Sequence, residues 1–422
     1  MFFTNRYYFV LILSVVFNTA VYAGSGQPLT LQEAESLALE MDPGSKRFQS
    51  LARSMQEKSV ADAQLPDPQL RFGLLNFPVD TFKRDQEPMT QIQLGVQQKF
   101  PRGDSLNIKS QRTLVDARTN EYRARNRETM LQKQVRLNWL ELYYWLRAEE
   151  VITKNRALFE QLVEVTQYHY GAGRSNQQDV IRAQLELSRL DDRLIDIKTS
   201  QEKSSAELAV LTGRKMDAII LPDELPHISD DFNLEMLHAQ LLSHPMMQVA
   251  KSQVEVSNKN VALAREAYKP GWMLGVNYGA RDGQNLNGSE RADFLSIGIT
   301  VDVPLFREKR QDRKLKASQY TLGASKQMLD QQYLQLKQML DKDYVDWKRL
   351  DERHRFYLDK LIPQAEQNSE ASLFAYQNDR TDFPTLMRAR ITALETHLKS
   401  IRINVDRVKA QARVLYYVGE QQ

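Results

Sequence analysis

The sequence predicts a mainly α-helical protein with a small β part of the kind that enters membranes. Residues 104–170 contain neither glycine nor proline, and helix breakers are scarce throughout, with 17 glycines and 14 prolines in 422 residues. Scarce breakers together with 26% charged residues are typical of long helices. Four other segments, each of about ten residues, alternate between apolar and small or polar side chains, which is the pattern of tilted transmembrane β-strands.

The composition excludes several classes of protein. The chain has no cysteine, which rules out disulfides, a thiol nucleophile and cysteine-based metal sites. Its hydrophobic share of 42% is too high for a disordered chain. The 57 basic and 54 acidic residues are interspersed and leave a net charge of only +3, so no nucleic-acid partner is predicted.

The N-terminus has the pattern of a cleaved signal peptide over residues 1–23. Arg6 precedes an apolar run at 7–17, and a small residue, Ala23, ends the segment where cleavage is expected. The run is about 11 residues, short of the ~20 that a spanning helix needs, although an uncleaved anchor is the alternative. No later apolar stretch is long enough to span, so a mature chain that enters a membrane is expected to do so as a β-barrel.

The chain repeats itself once. Landmark pairs such as Asp42 and His244, each followed by proline, or Gly213 and Gly419, recur at spacings of 202 to 206 residues. We therefore predict a first structural repeat over 24–213 and a second over 233–422. A proline-containing linker, 214–232, joins them.

Each repeat is predicted to contain helices, two strands, a long helix and a further helix. The first opens on a capping box, with Thr30 as cap and Glu33 three residues later. The long helices are expected at 104–170, where the length corresponds to ~100 Å, and at about 307–377. The final helices are expected at 174–212 and 385–418. Apolar residues alternate at spacings of three and four along both final helices, which favours coiled-coil packing over an ordinary amphipathic core helix.

The strands are predicted at about 68–77, 90–100, 272–281 and 293–303. One face of each should be apolar and contact lipid, while the other is small or polar. A half-buried sheet in a soluble protein is the alternative. Four strands cannot close a barrel, and lipid does not tolerate open sheet edges, so the chain is expected to oligomerise. The lipid-facing candidates are Ile92, Leu94, Val96, Trp272, Leu274, Val276, Leu295, Ile297, Ile299 and Val301.

No constellation for catalysis stands out in the sequence. The six histidines form no metal-binding pattern, and no phosphate-binding loop is present. Gly171-Ala172-Gly173 more simply forms the turn between two helices. The sequence therefore predicts neither an enzyme nor a cofactor or metal site.

Three motifs together resemble the TolC family of outer membrane efflux proteins, also called outer membrane factors. They are the opening helix at 29–43, the helical-tip segment at 170–184, and the repeat ends at 211–213 and 417–419. The resemblance covers nearly all of the mature chain. It implies a homotrimer in which each chain gives four strands to a shared 12-stranded β-barrel and its long helices to a shared coiled α-helical barrel.

The resemblance also implies a function and its partners. Such a protein lies in the outer membrane with its helices in the periplasm, as the exit duct of a tripartite efflux system. Its partners would be a periplasmic adaptor (membrane fusion protein) and an inner-membrane pump, of the proton-driven RND type. The tips that would contact the adaptor and close the pore are Tyr170, Gly171, Gly173, Arg174, Asp179, Tyr376, Asp379, Arg380, Asp382 and Arg388.

One family feature is not carried over. The acidic ring that often constricts the pore falls on Thr385 and Arg388 here. Asp379 and Asp382 are the nearest acids, and they either replace the ring or are simply solvated tip charges.

The sequence indicates the transported substrate less clearly than it indicates the fold. Residues 66–70 and 97–103 look more like the heavy-metal-cation branch of the family. Drug efflux and type I protein secretion are the alternatives for a duct. A periplasmic coiled-coil adaptor or scaffold and a structural surface protein are alternatives of other classes.

Overall fold

A computed structural model describes residues 28–228 and 231–419, so the predicted signal peptide at 1–23 lies outside the described residues. The first half contains α1 Leu31–Met41, α2 Pro43–Asp62, β1 Gln69–Leu75, β2 Gln91–Phe100, α3 Ser105–Gly171 and α4 Gln177–Thr212. The second half contains α5 Leu234–Gln240, α6 Pro245–Glu266, β3 Gly271–Ala280, β4 Phe294–Asp302, α7 Gln311–Phe356, α8 Ile362–Gln377 and α9 Phe383–Val418. Short 3₁₀ turns at Met216–Ala218 and Leu241–Ser243 accompany them. The order helix, helix, strand, strand, long helix, helix thus occurs twice.

The second helix of each half begins at an equivalent proline, Pro43 or Pro245, but the residue that caps it differs. Asp42 accepts a hydrogen bond from the Ser45 amide at 2.7 Å and pairs with Arg127 at 2.9 Å. The hydrogen bonds from Arg127 hold the pKa of Asp42 below its usual range, against the opposing effect of burial. At the equivalent place His244 accepts from the Met246 amide through Nδ1 and donates from Nε2 to the Tyr416 carbonyl at 3.2 Å. A charged cap and a neutral cap therefore begin α2 and α6.

The His244 side chain is fully buried, and burial lowers its pKa from 6.5 to about 4. The unfolded chain then binds a proton between pH 6.5 and 4 that the native chain does not, so stability falls as the pH drops through this window. Between pH 7.5 and 5 we expect this group to remove about 2 kcal/mol from the free energy of unfolding. Urea unfolding followed by circular dichroism measures it.

His244→Asn keeps a helix-capping side chain but has no titrating group. The variant should lose correspondingly less stability between pH 7.5 and 5 than the parent protein. An equal loss in both would show that His244 is not the group responsible.

The long helix α3 is the element on which most of the other helices pack. It runs for 67 residues, ~100 Å at 1.5 Å per residue, and packs against α1, α2, α4, α6 and α9. Near its middle, Trp139 is fully buried and its indole N–H donates to the Leu29 carbonyl at 2.8 Å. The Leu29 amide in turn donates to the Ile220 carbonyl, so hydrogen bonds connect the residues before α1 both to α3 and to the segment after α4.

A partly buried ion network joins α3 to α9. Glu141 accepts hydrogen bonds from Arg402 at 2.9 Å and from Lys409. Burial would raise the pKa of Glu141, but the hydrogen bonds from Lys409 and Arg402 outweigh it and lower the pKa. These contacts hold the two halves of the chain together at mid-length.

The heptad positions predicted on the final helices form the packed faces of α4 and α9. All of the predicted seam residues are buried or half-buried; on α9 they are Met387, Ile391, Leu394, Leu398, Ile401, Val405, Val408, Ala412 and Leu415. This regular seam packs α4 against α3, and α9 against α3, α7 and α8.

The second long helix differs from its expected form. It was predicted as one helix over about 307–377, but α7 begins at Gln311 and a π-helical turn, Tyr357–Leu361, separates it from α8. Pro363 explains the interruption, because it has no N–H and its ring would clash with the carbonyl of Asp359 in a regular α-helix. The wider π turn accommodates the proline, so α7 and α8 continue as one helical segment.

The four strands form one antiparallel sheet in the order β1-β2-β3-β4. Strands from the two halves meet at the centre, where Val96 on β2 lies opposite Val276 on β3. The loops beyond the strands are tied together, because the Arg291 guanidinium donates to the carbonyls of Asp85 and Glu87. None of the described helices is both long and apolar enough to cross a membrane.

Candidate functional site

The first helical tip is a tight turn between α3 and α4. Gly173 adopts φ +72° and its amide donates to the Tyr170 carbonyl at 3.0 Å, while the Arg174 amide donates to the His169 carbonyl at 2.8 Å. This pair of bonds is a Schellman motif, which ends a helix on a left-handed residue. Asn176 then caps α4 by accepting from the Asp179 amide at 3.0 Å.

The second tip, between α8 and α9, repeats this turn 206 residues later. Asp379 takes the place of the glycine at φ +55°, and its amide donates to the Tyr376 carbonyl at 3.1 Å. The Arg380 amide donates to the Ala375 carbonyl at 2.8 Å, and Asp382 caps α9 by accepting from Thr385 at 3.0 Å. Aspartate is among the few residues that tolerate this conformation. Both repeats therefore end their hairpins in the same way.

The two tips touch through aromatic side chains. His169 of the first hairpin stacks on Tyr376 of the second at 5.8 Å between ring centroids, and Phe383 meets the same tyrosine edge-on at 5.8 Å. Tyr376 is buried and burial raises its pKa, whereas its repeat partner Tyr170 is exposed. Tyr376, predicted as a partner contact, thus lies inside the contact between the hairpins, and Tyr170 faces outwards.

The remaining predicted tip residues lie around this aromatic contact. Those that are exposed are Gly171, Gly173, Arg174, Asp379, Arg380, Asp382 and Arg388, while Asp179 is half-buried. Hydrogen bonds from Thr385 lower the pKa of Asp382, so this cap stays ionised. Arg174 and Arg380 form no ion pair within the described parts of the chain, and they occupy equivalent positions in the two turns.

Thr385 and Arg388, where the acidic ring would fall, lie in the first two turns of α9. The Thr385 amide donates a hydrogen bond to the capping side chain of Asp382, and Arg388 is an exposed cation. The local charge at these two positions is therefore positive or neutral.

At the opposite end of the molecule, the sheet has one apolar face. Paired residues of an antiparallel sheet lie on the same face, so the register makes continuous rows such as Phe72, Leu94, Tyr278 and Leu295. All ten predicted lipid-facing residues lie on this face, and most are exposed. Phe100 and Trp272 stack at 3.8 Å at its end nearest the helices. This surface has the apolar composition of a lipid-contacting band.

The apolar face extends onto β1, from which no lipid-facing residue was predicted, and the contact between the tips was not predicted either. Leu70, Phe72 and Leu74 are 80%, 71% and 60% exposed and continue the apolar face. Their pairing with β2 reveals the face that the short segment alone did not. The stacking of His169 on Tyr376 has no signature in the sequence, apart from the repeat that makes the two tips equivalent.

Both edges of the sheet are open. β1 and β4 each pair with one strand only among the residues that the structure describes, and every residue of β4 is exposed. An edge presents unpaired backbone N–H and C=O groups, which are a template for another strand. An exposed apolar face and two open edges are both unfavourable for an isolated chain in water.

Comparisons with known proteins agree with this geometry. Residues 236–414 match the family model "Outer membrane efflux protein", a transport family and not an enzyme family. The outer membrane efflux protein BepC of Brucella suis biovar 1 (strain 1330) is 23% identical over 235 residues, which is 53% of this chain. The match spans only 48%, about half, of that relative's length.

Two solved structures share the fold along most of the chain. The outer-membrane channel OprN superimposes with a TM-score of 0.77 at 16% identity, covering 92% of this chain and 89% of that one. The outer membrane protein VceC of Vibrio cholerae gives a TM-score of 0.76 at 15% identity, covering 92% and 96%. The resemblance that the sequence motifs predicted is confirmed by the family match.

Proposed function

Because the chain carries an outer membrane efflux protein domain and has the fold of outer-membrane channels, we propose that it is an outer membrane exit duct of a tripartite efflux system. The observation that carries this proposal is the amphipathic four-stranded sheet joined to helices ~100 Å long. The sheet supplies a surface for lipid, and the helices reach far from it towards a second site. The protein would pass substrates from an inner-membrane pump to the outside.

The assembly we propose is a homotrimer with a shared 12-stranded barrel. Two copies would give eight strands, and an eight-stranded barrel is filled by its own side chains. Three copies give twelve strands and leave room for a lumen. β4 of one copy would then pair with β1 of the next, which removes every open edge.

The proposed location is the outer membrane, with the helical part in the periplasm, after export through a cleaved signal peptide at 1–23. The apolar sheet face supports the lipid contact. Recovery of the protein from the outer membrane fraction, and ion conduction after its addition to a planar lipid bilayer, test the proposal. Recovery as a monomer in the soluble periplasmic fraction would overturn it and favour the adaptor or scaffold alternative.

The partners we propose are a periplasmic adaptor and, behind it, a proton-driven inner-membrane pump of the RND type. The adaptor would dock on the two tips, which are the parts of the helices farthest from the sheet. Arg174 and Arg380 support this role, since they are exposed, unpaired within the described residues and placed alike on both tips.

Charge reversal at both positions, Arg174→Glu with Arg380→Glu, tests the docking site. We expect the affinity for the adaptor to fall about tenfold or more, because charges at an interface rim direct association. Binding of purified adaptor to the detergent-solubilised protein is the measurement. Both side chains are solvated, so assembly should not change.

Arg53→Glu, an exposed position at the middle of α2, the helix that precedes β1, is the matched control and should bind adaptor like the parent protein. Unaltered adaptor affinity in the double variant would move the docking site away from the tips.

The cargo stays a prediction. The heavy-metal branch was suggested by residues 66–70 and 97–103, with drug efflux and type I secretion as alternatives. Deletion of the gene followed by a panel of metals, dyes and antibiotics would identify the class. Unchanged tolerance of copper, silver, zinc and cobalt would count against metal export.

A further inference from the structure

The polar face of the sheet carries an unbalanced charge. This face contains mostly amides, hydroxyls and glycines, including Gln69, Gln91, Gln93, Gln97, Asn277, Ser296 and Thr300 with Gly73, Gly95, Gly275, Gly279 and Gly298. Its ionisable residues are Arg71, Lys99 and Asp302, so basic groups outnumber acidic ones.

The single carboxylate of this face does not neutralise the two cations. Asp302 lies at the end nearest the helices and pairs with Arg102 at 3.7 Å. Arg71 lies opposite Gly95, and Lys99 lies opposite Met273, so each has a neutral cross-strand neighbour. Both cations are exposed, and neither forms an ion pair within the described ranges 28–228 and 231–419.

The two cations lie at different heights. Gly95, opposite Arg71, is four residues before Lys99 on β2, which is ~13 Å along a strand. Arg71 is therefore near the middle of the sheet and Lys99 near its helical end. In a closed barrel these positions become two separate rings.

We infer that the lumen lined by this face prefers anions, so that the duct passes cargo bearing net negative charge more readily than free cations. The inference rests on the proposed function, in which three copies close a barrel with its polar face inwards. Six unpaired cations then face one lumen whose walls have a low dielectric constant, which strengthens their field. Rings of arginine and lysine are the arrangement by which pores select anions.

The neighbouring side chains do not oppose this preference. Amide groups are neutral and accept either sign of ion, while the glycines keep the lumen open around the cations. The loops between β1 and β2 (76–90) and between β3 and β4 (281–293) also carry acidic residues, but these lie beyond the strands. One of them, Asp282, is paired with Arg84 at 2.9 Å. Arg388, at the second helical tip, is a cation as well. Arg71, Lys99 and Arg388 would therefore all repel a free divalent metal ion.

The test is the reversal potential of single channels in a planar bilayer under a potassium chloride gradient. The parent protein should be more permeable to chloride than to potassium. The double variant Arg71→Gln with Lys99→Gln should lower the chloride-to-potassium permeability ratio about threefold or more. Lys215→Gln removes the same charge from the exposed segment beside α1 and should leave the ratio unchanged.

The variants should assemble normally, because both side chains are solvated and glutamine is already common on this face. A parent protein selective for potassium, or a double variant with an unchanged ratio, overturns the inference while leaving the duct intact. A parent protein that never conducts overturns the proposed function, and the inference falls with it.

Discussion

Replacing Ile297 with arginine is expected to prevent stable insertion of the protein into the outer membrane. Ile297 lies at the middle of β4, is 69% exposed and pairs with Val276 on the apolar face. An arginine at the bilayer midplane costs about 2–4 kcal/mol. The cost arises three times in a trimer, so the yield of assembled protein in the outer membrane should fall at least tenfold by this reckoning.

The neighbouring residue provides a matched control. Ser296 is exposed on the same strand, but it lies on the polar face, opposite Asn277. Ser296→Arg adds the same side chain one residue away and should assemble normally. Yields are compared by membrane fractionation and by the trimer band on unheated gels. Equal yields for both variants would contradict the assignment of the apolar face to lipid.

Replacing Trp139 with alanine should give the largest loss of stability in the helical part. The side chain is fully buried where α3 meets the residues before α1, and it donates a hydrogen bond to the Leu29 carbonyl. Removing a buried tryptophan costs about 3–5 kcal/mol, through lost burial and the cavity left behind. The measurement is the urea midpoint of the helical circular dichroism signal.

Trp139→Phe separates packing from hydrogen bonding at this site. It keeps most of the buried ring but leaves the Leu29 carbonyl without its donor, at a cost of about 1–2 kcal/mol. The alanine variant should therefore unfold at clearly lower urea than the phenylalanine variant. Identical midpoints for the parent protein and the alanine variant would show that this region does not limit stability.

The regular elements were largely predictable from the sequence because their signals are local. A breaker-free run predicted a helix at 104–170, and the structure has Ser105–Gly171. Strict alternation marked β4, and spacings of three and four marked the packed face of α9. In each case the residues that decide the structure are adjacent or one turn apart.

The features that were missed depend on distant partners. The apolar face of β1 became evident only through its register with β2, because seven residues carry too little periodicity. The burial of Tyr376 depends on His169, which lies on the other hairpin. The π turn before Pro363 reflects how a long packed helix accommodates a proline, since packing along both sides keeps the rod continuous.

In the structure we propose, three copies of this chain form one duct in the outer membrane. Native mass spectrometry of the protein, extracted in mild detergent from the outer membrane fraction, measures the number of chains. We expect a complex of three identical chains. A complex of one or two chains would contradict it, because four or eight strands cannot close around an open lumen.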